Sequence, residues 1–269
     1  MSYIETSDGV ELYVRDWGHG APIVFLHGWT LASDMWGYQM MPLCEQGFRT
    51  IAYDRRGHGR SSDPGRGYDF DALADDLAQV LRRLDVHDAT LVGHSFASGE
   101  MVRYVSRHRS ERIARLLFLA PAATPFIEQS ADNPGGIPRS VLEQLATRLQ
   151  HDFPGWMDEG AADYFGPTGS QGKIDWTRQM MMAASMKAMI DCARVQASTD
   201  FRAELREIAL PTLVIHGDRD ASAPLELTGR TTAQLIRGAR LEVYAGAGHG
   251  LYATHIDRLN ADIMAFARS

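Results

Sequence analysis

Five short, unbroken apolar runs constrain this chain most: PIVFL at 22–26, TIAY at 50–53, ATLVG at 89–93, LLFLA at 116–120 and TLVIH at 212–216. A run without polar alternation suits a strand covered on both faces, as in a parallel sheet. Between the runs lie amphipathic stretches of helical length. Within 70–84, Leu73, Leu77, Val80, Leu81 and Leu84 recur at helical spacing. Such strand–helix alternation predicts a doubly wound α/β fold. Ahead of it, Val10, Leu12 and Val14 alternate with Glu11, Tyr13 and Arg15, the pattern of an antiparallel strand or hairpin. After the fifth run the pattern predicts a helix at about 225–236, a strand at 241–244 and a last helix at 254–267.

The alternation breaks between 121 and 210. There APAATPF, NPGGIP, FPGW and GPTG separate helical pieces expected at 137–151 and 176–197. The expectation is a core of 1–120 and 211–269 carrying a helical cap at 121–210. Met182, Met186 and Met189 fall on one face of the helix expected at 176–197, at i, i+4 and i+7. That makes Met182 and Met186 candidates for an adaptable pocket wall. Packing of that face onto the main domain is the competing reading. Phe126, Trp156 and Phe165 are candidate lid aromatics.

The chemistry centres on LVGHSFASGEMVRYV at 91–105. A serine in a sharp strand-to-helix turn projects its hydroxyl above the sheet edge, and the helix N-terminus behind it favours developing negative charge. Gly93 and Ala97 are small, as a crowded turn requires. The segment fits G-x-S-x-G with Ala97 at the last position. Alone, Ser95 could equally be a helix cap. A nucleophilic serine needs a base, and the base needs an orienting acid. Asp218 and Asp220 both follow the TLVIH run. His249 lies among Gly246, Gly248 and Gly250 after the last strand. Parallel strands end on one edge, so these groups can converge there. An acyl-transfer site also needs two N–H donors for the oxyanion. Trp29, after His27-Gly28, and Phe96, after Ser95, are the candidates.

Other classes are disfavoured. The formal net charge of −7 argues against nucleic acid and anionic membranes as partners. Cys44 and Cys192 form no pair or cluster. No apolar run approaches the roughly 18 residues of a membrane span. The first residues show no basic and apolar secretory pattern, so the cytoplasm is the default expectation. The G-x-G at 57–59 lacks the third glycine of a dinucleotide loop. Asp54, Arg55 and His58 therefore read as a loop supporting the turn at Trp29. No metal motif is present, and no metal or cofactor is expected.

HGW at 27–29, YDRRGHGRSS at 53–62, GHSFASGEMVRYV at 93–105, LLFLAPA at 116–122, VIHGDRDASAP at 214–224 and GAGHGLYATHIDRLNADIMAFA at 246–267 carry a resemblance. The chain resembles the α/β-hydrolase superfamily over essentially its whole length. Within it, it is similar to the cofactor-free haloperoxidase or perhydrolase (aryl esterase) branch. The resemblance implies an α/β-hydrolase fold: a mostly parallel eight-stranded sheet flanked by helices, with a helical cap. By position it implies Ser95 as nucleophile, His249 as base and Asp220, rather than Asp218, as the acid. The implied activity is hydrolysis of small carboxylic esters, extending to lactones, through an acyl-enzyme, with peracid formation as a side activity. The implied partner is a small-molecule ester, and a homo-oligomer is compatible with it. Two departures stand out. Phe96-Ala97 replaces the usual Met-Gly, which would put a bulky side chain at the pocket floor. Thr30, also expected in the pocket, replaces the proline of many perhydrolase-like members, which argues for weak peracid formation. A non-catalytic small-molecule receptor of the same fold is the competing class, and a chromogenic acetate ester separates the two.

Overall fold

Eight strands form one sheet in the computed structural model, which describes residues 2–269. They are β1 (Ser2–Glu5), β2 (Glu11–Trp17), β3 (Pro22–Leu26), β4 (Arg49–Tyr53), β5 (Ala89–His94), β6 (Ile113–Leu119), β7 (Thr212–Gly217) and β8 (Arg240–Tyr244). Their order is β1-β2-β4-β3-β5-β6-β7-β8. β2 pairs antiparallel with β1 and β4, and the other neighbours are parallel. The five apolar runs are the contiguous middle, β4-β3-β5-β6-β7. The alternating segments, β2 and β8, lie toward the edges, where one face meets solvent.

The helices are α1 (Gly37–Glu45), α2 (Phe70–Arg83), α3 (Ala97–His108), α4 (Arg139–Phe165), α5 (Gln171–Met182), α6 (Met186–Ser198), α7 (Arg202–Glu207), α8 (Gly229–Leu235), α9 (Leu251–Thr254) and α10 (Ile256–Ala267). They cover both sheet faces, and strand periodicity decides which residue meets which layer. Val24, Leu26, Leu116 and Phe118 join the core beneath α2 and α3. Ile23, Phe25, Leu117 and Leu119 join the core beneath α1 and α10. α2 shows why its residues form a helix. Asp69 caps it by accepting from the Ala72 N–H, Leu73, Leu77, Val80 and Leu81 are buried along one face, and Arg82 and Arg83 sit in the last turn.

Between β6 and β7 the chain leaves the sheet and builds α4 to α7. Leu149, Phe153 and Met157 of α4 pack with Met189 and Ile190 of α6 into a separate apolar cluster. Two boundaries differ from the sequence expectation. α4 runs past 151 to Phe165, with non-helical backbone at Asp152 (φ −153°, ψ 69°). Pro154 does not end it, because it falls in the first turn of the second half, where a proline is tolerated. There the Asp152 carboxylate accepts from the Gly155 N–H at 2.9 Å. The expected single helix at 176–197 is two. Ser185 starts α6 afresh by capping Ala188, while its own N–H donates to the Gly57 carbonyl at 2.8 Å. Among the described residues, no helix is long and apolar enough to cross a membrane.

Candidate active site

β5 ends at His94 and α3 starts at Ala97, so Ser95 must reverse the chain within two residues. It does so at φ +56°, a left-handed conformation that costs a serine about 1–2 kcal/mol. Hydrogen bonds hold the turn. The Ser95 N–H donates to the Leu119 carbonyl at 3.0 Å, and the Ser95 carbonyl accepts from the N–H groups of Ser98 and Ala122. The Ser98 hydroxyl donates to the same carbonyl at 2.5 Å. A Cβ at Gly93 would lie 2.2 Å from the Met101 sulfur, which accounts for glycine there.

The sheet edge brings Ser95, His249 and Asp220 together. Ser95 Oγ lies 2.8 Å from His249 Nε2, and His249 Nδ1 lies 2.6 Å from Asp220 Oδ2. All three residues are buried. Asp220 Oδ1 accepts from the N–H groups of Ser222 and Ala223, at 2.9 and 2.7 Å. Burial pushes the Asp220 carboxyl upward, but His249 and His216 outweigh it and hold the group well below the usual carboxylate range. Asp218 lies apart: it accepts from the Gly246 N–H at 2.6 Å and shapes the turn before His249. His94 Nε2 donates to the His249 carbonyl at 3.0 Å. Burial, reinforced by His249, lowers His94 to about 3, so its ring is neutral.

Trp29 follows β3 and Phe96 precedes α3. Among the described residues, neither N–H donates to an acceptor in the chain. Arg55 ties both segments together. Its guanidinium donates to the His27 carbonyl at 2.8 Å and to Glu100 at 2.8 and 3.0 Å. It also stacks 4.9 Å from the centre of the Phe96 ring. The Arg55 N–H donates to His27 Nε2 at 2.9 Å, and Tyr53 donates to the other Glu100 oxygen. This charged pair is fully enclosed, with every partner in place.

Ser95, His249 and His94 line a cavity of about 760 Å³. Its roof comes from α4 and α5, including Leu149, Trp156, Met157 and Met181. The Trp29 indole N–H donates to the Met189 carbonyl at 2.9 Å, and its ring packs edge-on against Phe153 and Trp156. Trp29 therefore joins floor to roof. A shallower depression on α4, along Ser140, Glu143, Thr147 and His151, contains none of these groups. Among the described residues, no cluster of three or more His, Cys, Asp or Glu side chains is placed to hold a metal ion.

Four sequence expectations for the pocket change. Met182 and Met186 are 50% and 59% exposed and do not line the cavity. The break at 183–185 resets the helical phase, so Met181 faces the cavity instead and Met189 enters the apolar cluster between α4 and α6. The Phe96 side chain is not at the cavity floor. It is wholly buried and stacked on Phe70 at 4.8 Å, because the turn aims it toward α2. Thr30 is also wholly buried, with φ +59° and its hydroxyl on the Trp29 carbonyl; Trp29 and Leu31 form the wall. Of the candidate lid aromatics, Trp156 and Phe165 line the cavity and Phe126 does not. The sequence reading missed Glu100, His94 and His216. The one available signal was Glu100, a carboxylate among the buried positions of α3.

The profile of the α/β hydrolase fold family matches residues 21–256. A non-heme chloroperoxidase of Kitasatospora aureofaciens is 39% identical, over 99% of both chains. A bifunctional esterase/perhydrolase of Acinetobacter calcoaceticus is 37% identical, over the full length of both. A bromoperoxidase structure from Bacillus anthracis superposes with a TM-score of 0.94 at 34% identity, covering both chains completely.

Proposed function

We propose, from the premise that this chain belongs to the α/β-hydrolase fold family, that it is a serine esterase acting on small carboxylic esters through Ser95, His249 and Asp220. The observation that carries this reading is the continuous hydrogen-bonded line from Ser95 Oγ through His249 to Asp220, opening into a largely apolar cavity. Ser95 Oγ attacks the acyl carbon while His249 Nε2 takes its proton. Asp220 holds the Nδ1–H tautomer and offsets the imidazolium charge. The Trp29 and Phe96 N–H groups receive the oxyanion, where one donor is worth about 10²–10³ in kcat. The imidazolium then protonates the leaving alcohol. Water, deprotonated by His249, releases the acid and restores Ser95.

A lactone fits the same sequence, its alcohol remaining tethered to the acyl group. Hydrogen peroxide in place of water would yield a peracid. Thr30 bears on that side activity. A proline is confined to φ near −65°, whereas this loop holds residue 30 at +59°. The loop of this chain is thus built differently from one carrying proline, and Thr30→Pro would remodel it rather than tune it.

Much of the cavity wall is apolar, with Leu31, Leu149, Trp156, Met157 and Met181 beside charged residues such as Arg148 and Asp158, so longer acyl groups gain about 0.8 kcal/mol per buried methylene until space runs out. With Phe96 turned away from the floor, the expected series of kcat/KM rises from acetate to butyrate and hexanoate p-nitrophenyl esters. Rapid mixing with p-nitrophenyl acetate tests the core of the proposal. A burst of about one nitrophenolate per chain, absent in Ser95→Ala, is the expected result; equal turnover by wild type and Ser95→Ala would overturn it.

A further inference from the structure

His216 is the penultimate residue of the same strand that delivers the acid, and nothing in the reaction described above uses it. It is wholly buried near the carboxyl end of β7. Its Nε2 lies 2.8 Å from the Ala223 carbonyl and 3.1 Å from Asp220 Oδ2. Both neighbours are acceptors, so Nε2 carries the hydrogen and shares it between them. Nδ1 has no partner. The ring is wedged in this pose: a Cβ at Gly229 would come within 2.3 Å of Nδ1.

Asp220 Oδ2 is therefore hydrogen-bonded by the His249 imidazole and lies 3.1 Å from His216 Nε2, whose N–H donates mainly to the Ala223 carbonyl, while Oδ1 receives two backbone N–H groups. We propose that His216 is a positioning residue of this site: its shared N–H fixes the Asp220 carboxylate beneath His249 and takes up part of its negative charge. The proposal rests on the triad reading above. It has two consequences. Without His216, the carboxylate keeps its three hydrogen bonds but loses the polar contact on the far side of Oδ2, and the tautomer and angle of His249 are held less well. The carboxylate charge would also act more fully on His249, so the imidazolium would persist to higher pH. The other titratable groups facing this pair are His94, with its ring 4.7 Å from His249, and Tyr164, edge-on at 5.3 Å. His94 is held neutral and burial raises Tyr164 well above its usual range, so neither adds charge near neutral pH.

The test compares His216→Leu with His216→Gln, whose amide can return an N–H to the carboxylate. Each is assayed with a neutral nitrophenyl ester across pH 5–9. The expected result for H216L is a kcat lowered on the order of 10–100-fold with KM little changed, as for other residues that orient a ligand from behind. Its acid limb in kcat/KM should move upward by about half a pH unit or more, and H216Q should restore most of both. An acid limb unmoved in H216L, or H216Q behaving like H216L in both readouts, overturns the proposal. Should H216L not fold by circular dichroism, His216→Asn, too short to reach Oδ2, takes its place with the same expected shift. Ser95→Ala separates the two layers. Residual full activity there sinks the triad reading itself, whereas an inactive Ser95→Ala beside an unmoved H216L profile sinks only the role of His216.

Discussion

The floor and the roof of the cavity are built on opposite principles. The floor is polar and fully enclosed: Ser95, His249, Asp220, Arg55 and Glu100 are buried and held by hydrogen bonds at strand ends. The roof is mainly apolar, with charged residues such as Arg148 and Asp158 among its lining, and it is jointed. It has its own small core, a break in α4 at Asp152 and the exposed side chains Val141, Leu145, Met182 and Met186. A buried polar network has one satisfied arrangement, whereas an apolar surface can be filled in many ways. The floor accordingly sets the chemistry and the roof sets which acyl groups enter.

If that division holds, the largest effects come from the floor. Asp220→Asn should lower kcat by roughly 10⁴-fold, because the amide no longer holds the required His249 tautomer. Asp218→Asn, whose carboxylate faces only the Gly246 turn, should change kcat by less than about 10-fold. Ester turnover by the two purified variants decides it, and reversed results would reassign the acid.

Stability should also record the floor. Burial first, with help from neighbouring positive groups, lowers His58 and His94 to about 3 and His27 well below its usual value. Each is neutral in the fold but takes a proton near pH 6.5 once unfolded. The stability they contribute is therefore lost as pH falls below 6.5 and continues to be lost toward 3. Asp76 has the opposite sign. Burial lifts it to about 6, so the folded chain takes that proton earlier and one of the three is offset. Two excess protons give a slope of roughly 3 kcal/mol per pH unit near pH 5. Urea unfolding at pH 7, 6 and 5 measures it, and an unchanged stability over that range contradicts the buried-histidine account.

Arg55→Lys keeps the charge beside Glu100 but loses the fork that reaches His27 and stacks on Phe96. A fall in kcat of up to about 10²-fold with KM nearly constant is expected if Arg55 aligns both oxyanion donors. A matching rise in KM would place its effect on substrate binding instead. The smallest effect belongs to the roof. Leu145 lines the cavity mouth and is 38% exposed. Leu145→Ser should lower kcat/KM for hexanoate esters by about 3–10-fold and leave acetate unchanged. Equal losses for both esters would mean that the roof acts on the chemistry after all.

The same division explains what the sequence disclosed. The floor was legible because its carriers sit at the ends of continuous apolar runs and in a short turn motif, where spacing reports position directly. The residue pattern alone left both aspartates open, since both lie at the start of the loop after β7; the family resemblance ranked Asp220 first, and their hydrogen bonds separate them in the same sense. The Arg55–Glu100 pair was not legible, since it depends on where the loop after β4 meets α3, and the contact of His216 with Asp220 Oδ2 depends on how the loop after β7 folds back on the strand. The roof was the least readable. Pro154 reads as a stop but starts a second helical half, and three residues at 183–185 turn one methionine face into two unrelated ones.

The central claim is that this floor activates one serine. Incubation with a fluorophosphonate probe, followed by peptide mass analysis, tests it most directly. The account predicts a single adduct per chain, on Ser95, absent from Ser95→Ala and formed far more slowly in Asp220→Asn. An adduct that survives in Ser95→Ala, or one that maps to another residue, would contradict it.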